Sequence, residues 1–374
     1  MGAGPDAIDP AVARTLDETL LWLCSVDSPI GEEKALCDAV SARMQRIALA
    51  APIRRYGDSI VVPVTRAAGG APKIALVGHL DTVRTENGPA RVDGDRVFGA
   101  GSSDMKSGLA IMIAIAELAA QALPCDLTLV FYAREEGPYA DNELGPVLDQ
   151  DPELRHVDLA VCLEPSDNKL HLGCTGSIHA TVTVRGRTSH SARPWEGQNA
   201  ITRAAPLLTR LAAVAPVEHH VEGLVYRTVT TVTQARDGGR GRNVVPDVFT
   251  LNVNHRFAPV TSLEQAQADL TALLGDEGEI TFTDLSPAAM PSAEHPLVKK
   301  LVAAGVVDVA PKQAWTDVAR FSALGVPAVN FGPGENAQAH QKNESTSLSL
   351  VHDGYGIFLR WLSSVAPHDV SPAR

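Results

Sequence analysis

The sequence predicts an α/β protein: a mixed, mostly parallel sheet flanked by helices, interrupted by an inserted α+β domain. Three observations carry this expectation. Ile74 to Val83, Asp126 to Ala133 and Val157 to Leu163 are near-continuous apolar runs, the pattern of strands buried on both faces. Helix-length segments alternate with them, which favours parallel pairing through crossovers. After Gly173 the pattern switches to residue-by-residue alternation, as in strands with only one face buried.

Taken in order, residues 10–25 and 30–49 read as amphipathic helices. The second is entered through Ser28-Pro29, with Glu32 and Glu33 in its first turn. Ser59 to Thr65 reads as a strand, and the run 74–83 as the next. The stretch Gly99-Ala-Gly-Ser-Ser-Asp-Met-Lys-Ser-Gly108 has the glycines of a tight turn, and Leu109 to Leu123 follows as a buried helix. Strands at 126–133 and 157–163 complete the first part. Ser177–Arg185, Tyr226–Gln234 and Val248–Phe257 then alternate, with helical stretches near 198–213 and 262–274. Such a sheet is open on one side, and its edge suits a dimer contact. From about His295 the strand–helix alternation returns, with Ala328–Phe331 as a further buried strand. The expected division is therefore 1–174 with 291–374 as one domain and 175–290 as the insertion. The tail beyond about Pro367 reads as disordered.

At 374 residues the chain has room for two cores. With 45% hydrophobic and 20% charged residues it is of ordinary globular composition. A net charge of -12 argues against a non-specific nucleic-acid binder, which needs a basic face. No apolar run is long enough to span a bilayer, and the start lacks the features of a signal peptide. Gly2 suggests myristoylation only until Asp6, where that motif needs Ser or Thr. The five cysteines are scattered without a CxxC pair, so they read as core residues of a cytoplasmic protein.

Each apolar run ends on groups that bind metals or move protons: His79-Leu-Asp81, Glu135-Glu136-Gly137, and Glu164-Pro165. In open α/β sheets, ligands gather at the carboxyl ends of strands. Asp104 stands at the mouth of the helix between the first two runs, where a simple cap explains it equally well if taken alone. His340 follows late in the chain. A lone His-x-Asp or Glu-Glu pair is usually a surface turn, but all of these lie at strand ends and read as one constellation. If His79, Asp104, Glu136, Glu164 and His340 meet, imidazole and carboxylate donors without thiolate fit zinc in a catalytic role. Three carboxylates and one shared hydroxide would balance two divalent ions. Glu135, facing away from Glu136 on extended backbone, is the natural general base. Asp81 fits an outer carboxylate that fixes the tautomer of a ligand imidazole.

Val77-Gly-His-Leu-Asp-Thr-Val83, Gly99 to Leu109, Arg134-Glu-Glu-Gly137, Leu163-Glu-Pro165 and Ala339-His340 resemble, in order, the five metal-site motifs of the co-catalytic zinc amidohydrolase and exopeptidase family. That family includes acetylornithine deacetylase, carboxypeptidase G-type enzymes, aminoacylases and succinyl-diaminopimelate desuccinylase. The resemblance implies two zinc ions per subunit, with cobalt(II) able to substitute. Asp104 would bridge them, with Glu136 and His340 completing one site, His79 and Glu164 the other, and Glu135 as acid and base. It implies that 175–290 is a lid and dimerisation domain. There Thr188-Ser-His190-Ser-Ala-Arg-Pro-Trp-Glu-Gly-Gln-Asn-Ala-Ile201 carries a histidine, His190, that reaches across a homodimer to stabilise the oxyanion. Asn243 and Arg256 match positions that contact substrate.

Within the family the wording is most similar to the desuccinylases. Glu164 stands where strict aminopeptidases carry aspartate. Arg236-Asp-Gly-Gly-Arg240-Gly-Arg242 concentrates positive charge in an acidic chain, which suits an anionic N-acyl amino acid. Ala314-Trp-Thr316-Asp317 resembles the region that holds the acyl carboxylate, and Thr175 stands where many desuccinylases carry arginine. The expected reaction is removal of succinate from N-succinyl-L,L-diaminopimelate, in lysine and cell-wall precursor synthesis. Acetylornithine or another N-acyl amino acid or dipeptide is the alternative substrate, and a metal-binding scaffold without chemistry is the alternative class.

Overall fold

A computed structural model describes residues 8–239 and 241–369. Expectations about the chain start, about Arg240 and about the tail past 369 fall outside the described residues. Pro367–Asp369, read as disordered, forms a short 3-10 turn held by Ala366 N donating to the Asp369 carboxylate at 2.6 Å and by Lys300 at 2.8 Å.

The chain divides into two compact units. The first comprises Met1–Gly173, Pro291–Ala310 and Arg320–Arg374. Its main sheet has eight strands in the order Arg54–Tyr56, Ser59–Pro63, Asp126–Tyr132, Lys73–His79, Leu159–Cys162, Ala328–Asn330, Leu170–Leu172, Val309–Pro311. The four central strands run parallel. Antiparallel pairs flank them, at Ser59–Pro63 on one side and Leu170–Leu172 on the other. The sheet is thus mixed with a parallel centre, as the unbroken apolar runs require.

Helix Lys106–Leu118 is buried on every side from Lys106 to Ala116. It lies so close to the sheet that a Cβ on Gly108 would stand 2.6 Å from the Leu163 carbonyl, and one on Gly78 would stand 2.5 Å from Leu109. Glycine at both positions is what lets helix and strand approach. Each fully buried leucine or isoleucine here contributes about 1.5–3 kcal/mol. Helix Pro10–Ser25 starts on Asp9, whose side chain accepts from Ala11 N, and buries Leu16, Leu20, Leu23 and Cys24 along one stripe. The second helix is shorter than expected, Lys34–Met44. A small sheet absent from the sequence expectation joins Arg91–Asp93, Arg96–Phe98 and Ser345–Ser347.

The second unit comprises Cys174–Met290 with Pro311–Ala319. The sequence pattern alone puts 311–319 in the first domain. The segment is held in the second by Thr175 N donating to Lys312 O, Arg227 N donating to Gln313 Oε1 and Trp315 Nε1 donating to Pro287 O. Its five-stranded sheet has the order Val217–Val221, Leu224–Asp237, Val248–Phe257, Gly176–Arg185, Glu279–Ser286, with every neighbour antiparallel. Ile178, Ala180, Val182 and Val184 alternate into a core with Leu251, Val253 and Phe257, joined by Leu207, Leu211, Leu270 and Leu274 from helices Ala205–Ala212 and Leu263–Leu274. The opposite face carries polar residues. Among them Asn254 pairs with His179, and Arg256 with Ser177.

All five cysteines are buried and none is in a disulfide. Burial pushes Cys24, Cys37 and Cys125 up to about 12 and Cys174 to about 11. Thiolate is the reactive form, so the native protein is expected to leave an aromatic disulfide reagent unreacted at pH 8 and to titrate fully after unfolding. Rapid reaction of any thiol in the native state would contradict this burial.

Candidate metal centre

His79 is the last residue of strand Lys73–His79, so the central sheet fixes its backbone. Its Nδ1 lies 3.0 Å from the Asp81 backbone carbonyl and 3.5 Å from the Asp81 carboxylate. A carbonyl can only accept, so Nδ1 carries the hydrogen. Nε2 faces Asp104, 3.3 Å away, donating to its carboxylate when the ring is protonated and leaving a lone pair for a metal when it is not. The imidazole is therefore held by Asp81 twice over, by its main-chain carbonyl and by its carboxylate. That carboxylate also holds the neighbouring turn, accepting from Glu135 N at 3.0 Å and Glu136 N at 2.9 Å. Burial opposes ionisation of Asp81, but His79 and these two N–H groups outweigh it and hold its pKa below the usual value.

Glu135 and Glu136 lie past the end of strand Asp126–Tyr132, in a turn where Arg134 adopts φ 63. The expectation that they face apart because extended side chains alternate does not apply, since the backbone here is no longer extended. The Asp81 tether pins the backbone of both. A left-handed conformation at a non-glycine residue costs on the order of 1–3 kcal/mol and persists only where surroundings impose it. His340 shows the same feature, φ 61, with Nε2 3.0 Å from the Glu136 carboxylate and 3.6 Å from Asp104 Oδ2.

One donor atom each from His79, Asp104 and Glu136 falls within 4.8 Å of the others. His340 adjoins this group through Glu136 and Asp104. Glu164, buried two residues beyond strand Leu159–Cys162, lies near enough for its charge to favour protonation of His79. Burial disfavours charge on His79, yet its bond to Asp104 and the other carboxylates raise its pKa well above the usual value. The hydrogen bond that His340 Nε2 donates to Glu136 raises the His340 pKa to about 9. Both shifts arise from carboxylates that converge on the imidazoles, and a divalent metal competes with the proton for the same nitrogens. Two imidazoles, three carboxylates and no thiolate fit a catalytic centre of the zinc type.

Sequence reasoning missed Glu344. Its carboxylate is 3% exposed and accepts three backbone N–H groups, from Gly101, Ser103 and Asp104, each at 2.8 Å. Burial raises its pKa to about 7. The only available signal was an acid four residues past His340 in a polar stretch, which has no periodicity to mark it. Lys106, also buried, donates from Nζ to Val26 O at 3.0 Å.

Residues 75–364 match the peptidase family M20/M25/M40. This chain belongs to that family. It is 35% identical over 350 residues to a succinyl-diaminopimelate desuccinylase of Corynebacterium glutamicum, covering 91% of this chain and 94% of that one. A desuccinylase of Ectopseudomonas mendocina is 30% identical over 319 residues, covering 77% and 82%. The fold is also that of an M20 family metallo-carboxypeptidase from Sulfolobus solfataricus, with a TM-score of 0.76 at 15% identity over 95% of this chain and 99% of that one. A tripeptidase from Staphylococcus aureus gives 0.75 at 18% identity, over 94% and 98%. As an M20 family member the chain is a metal-dependent amide hydrolase, which is the chemistry its donor set fits.

The residues that the M20-type reading assigns to substrate lie in the second unit. His190 is exposed and forms an isolated bridge with Val244, while Ser191 N donates to the Asn243 carbonyl at 2.9 Å, so the His190 and Asn243 loops support each other. Arg256 is partly buried on the polar face of the sheet and donates from Nε to Asn254 at 3.0 Å. Burial lowers its pKa, and the nearby Asp284 charge opposes that. Thr316 is buried beside the Cys174 thiol, which donates to its backbone carbonyl at 3.6 Å. Thr175 departs from expectation: it is fully buried and spends its hydroxyl hydrogen on the Gln313 carbonyl at 2.6 Å. It has no donor left for an anionic substrate.

Proposed function

We propose that this chain hydrolyses N-succinyl-L,L-diaminopimelate, adding water across the amide bond to release succinate and L,L-diaminopimelate. The observation that carries this reading is 35% identity to the Corynebacterium glutamicum desuccinylase across 91% of the chain. The converging donors His79, Asp104 and Glu136 supply the chemistry it requires.

In this reading two zinc ions, for which cobalt(II) would substitute, would be held by His79 and Glu164 on one side and Glu136 and His340 on the other, with Asp104 serving both. Bound there, such ions would activate water and polarise the amide carbonyl. Glu135 takes a proton from the attacking water and returns it to the departing nitrogen, so its carboxylate ends the cycle as it began. Asp81 keeps Glu135 and Glu136 in register through their N–H groups. The first unit, Met1–Gly173 with Pro291–Ala310 and Arg320–Arg374, is catalytic, and the second is a lid and a homodimer contact. From it His190 donates to the oxyanion of the partner subunit's substrate, while Asn243, Arg256 and Thr316 receive its carboxylates. The setting is the cytoplasm, in lysine and diaminopimelate synthesis.

The substrate bears three carboxylates, which suits Arg256 and the arginines of the 236–242 loop better than a singly anionic acyl amino acid does. Free-amine release by zinc-loaded protein on N-succinyl-L,L-diaminopimelate, N-acetylornithine and a dipeptide at equal concentration tests this. We expect a kcat/KM roughly 10⁴–10⁵-fold higher for the succinyl compound, the scale on which a site built for polar groups rejects analogues lacking them. A preference for either other substrate would retain the metal chemistry and overturn the substrate assignment.

A further inference from the structure

The loop that carries Asp104 is wrapped around a second carboxylate belonging to a segment 240 residues further along the chain. Glu344 Oε1 accepts from Ser103 N and Asp104 N, and Oε2 from Gly101 N, all at 2.8 Å. Pairing of Ser345 with Phe98 delivers Glu344 to this position, and Gly99 N donates to the Glu344 carbonyl at 3.1 Å. Glu344 is itself held, since its N–H donates to Asn87 Oδ1 at 2.8 Å. Just beyond it, the Ser345 carbonyl accepts the Ser103 hydroxyl at 3.0 Å. The segment 340–345 thus brings His340 to the centre with its first residue and grips the Asp104 loop with its last two.

We infer that Glu344 is a positioning residue of the metal centre: it fixes the backbone of Asp104, and through the same segment that of His340, so that both donors stand in place before a metal arrives. This rests on the reading of His79, Asp104, Glu136 and His340 as metal ligands. The geometry calls for a carboxylate of this length. An amide keeps one acceptor but turns an N–H group toward a backbone N–H, and aspartate is one methylene too short to span the loop. Flexible loops bind metal weakly because the ordering cost falls on the binding step. Partners outside the ligand shell typically contribute 10–100-fold in metal affinity.

The probe is cobalt(II), read by its visible absorption and by competition with a chelator on metal-free protein. Thermal unfolding of the metal-free form is measured beside it. Glu344→Gln is expected to bind cobalt about 10–100-fold more weakly than the wild type, with an altered absorption band. Glu344→Asp provides the same reading should the glutamine variant fail to fold, and is expected to weaken binding in the same direction. Leu270→Ala, in the core of the second unit, serves as the control for instability alone: a lower melting temperature with unchanged cobalt affinity. A folded Glu344 variant that binds cobalt as tightly as the wild type, whatever its melting temperature, overturns the inference. Wild-type protein that binds no cobalt would instead remove the metal-centre reading on which it rests.

Discussion

Replacing Glu135 with alanine is expected to lower kcat by roughly 10²–10⁴-fold, the usual contribution of a positioned general base, while metal content stays at the wild-type level. The separation is expected because Glu135 and Glu136 are held independently of their side chains. Asp81 grips both backbone N–H groups, at 3.0 and 2.9 Å, and those bonds survive truncation of the Glu135 side chain. Glu136 therefore keeps its place 3.0 Å from His340. Glu135→Gln sharpens the test, since it preserves volume and removes only the titrating oxygen. KM should change little in either variant, because the lost interaction belongs to proton transfer and not to substrate binding. Steady-state kinetics beside metal analysis of the same preparation decides the matter. Turnover near the wild-type rate would take the acid and base role away from Glu135, and loss of metal would mean that the turn, not the proton transfer, had been damaged.

How much of this was legible before the structure depends on the kind of signal. The central strands announce themselves because burial on both faces forces continuous apolar runs, and His79 ends such a run. The second unit was equally readable, since a sheet with one covered face must alternate, as Ile178, Ala180, Val182 and Val184 do. The short strands Arg91–Asp93, Arg96–Phe98 and Ser345–Ser347 carry no such pattern, being three residues each and formed by long-range pairing. That blindness explains why Glu344 was missed: its position is a product of that small sheet. For Asp81 the pairing with His79 was foreseen, but its other contacts were not. Spacing places a carboxylate near His79, but only the folded chain shows its carbonyl taking the imidazole hydrogen while its carboxylate tethers the next turn. Thr175 failed for a related reason, because no one-dimensional pattern reveals that a hydroxyl is already committed to the Gln313 carbonyl.

Asp104→Asn should be the most damaging single exchange for metal binding, and the stability that added metal confers is its readout. Asp104 lies 3.3 Å from His79 and 3.6 Å from His340, so it is the carboxylate that faces both halves of the centre. Asparagine keeps the shape and leaves the Asp104 N–H to Glu344 intact, so the loop should still close. What it lacks is the charge that lets one residue serve two cations. We expect metal affinity to fall by more than the roughly 10–100-fold typical for an outer partner. At a metal concentration 100 times the wild-type dissociation constant, binding adds about 2.7 kcal/mol to wild-type stability. If the constant rises about 100-fold, the same concentration adds only about 0.4 kcal/mol. The metal-free variant should melt somewhat below metal-free wild type at neutral pH, since the carboxylate that faces the protonated His79 and His340 imidazoles has been neutralised. The metal-induced rise, not the metal-free melting temperature, therefore tests the ligand role. A metal-induced rise in the variant as large as that of the wild type would show that Asp104 is not a shared ligand.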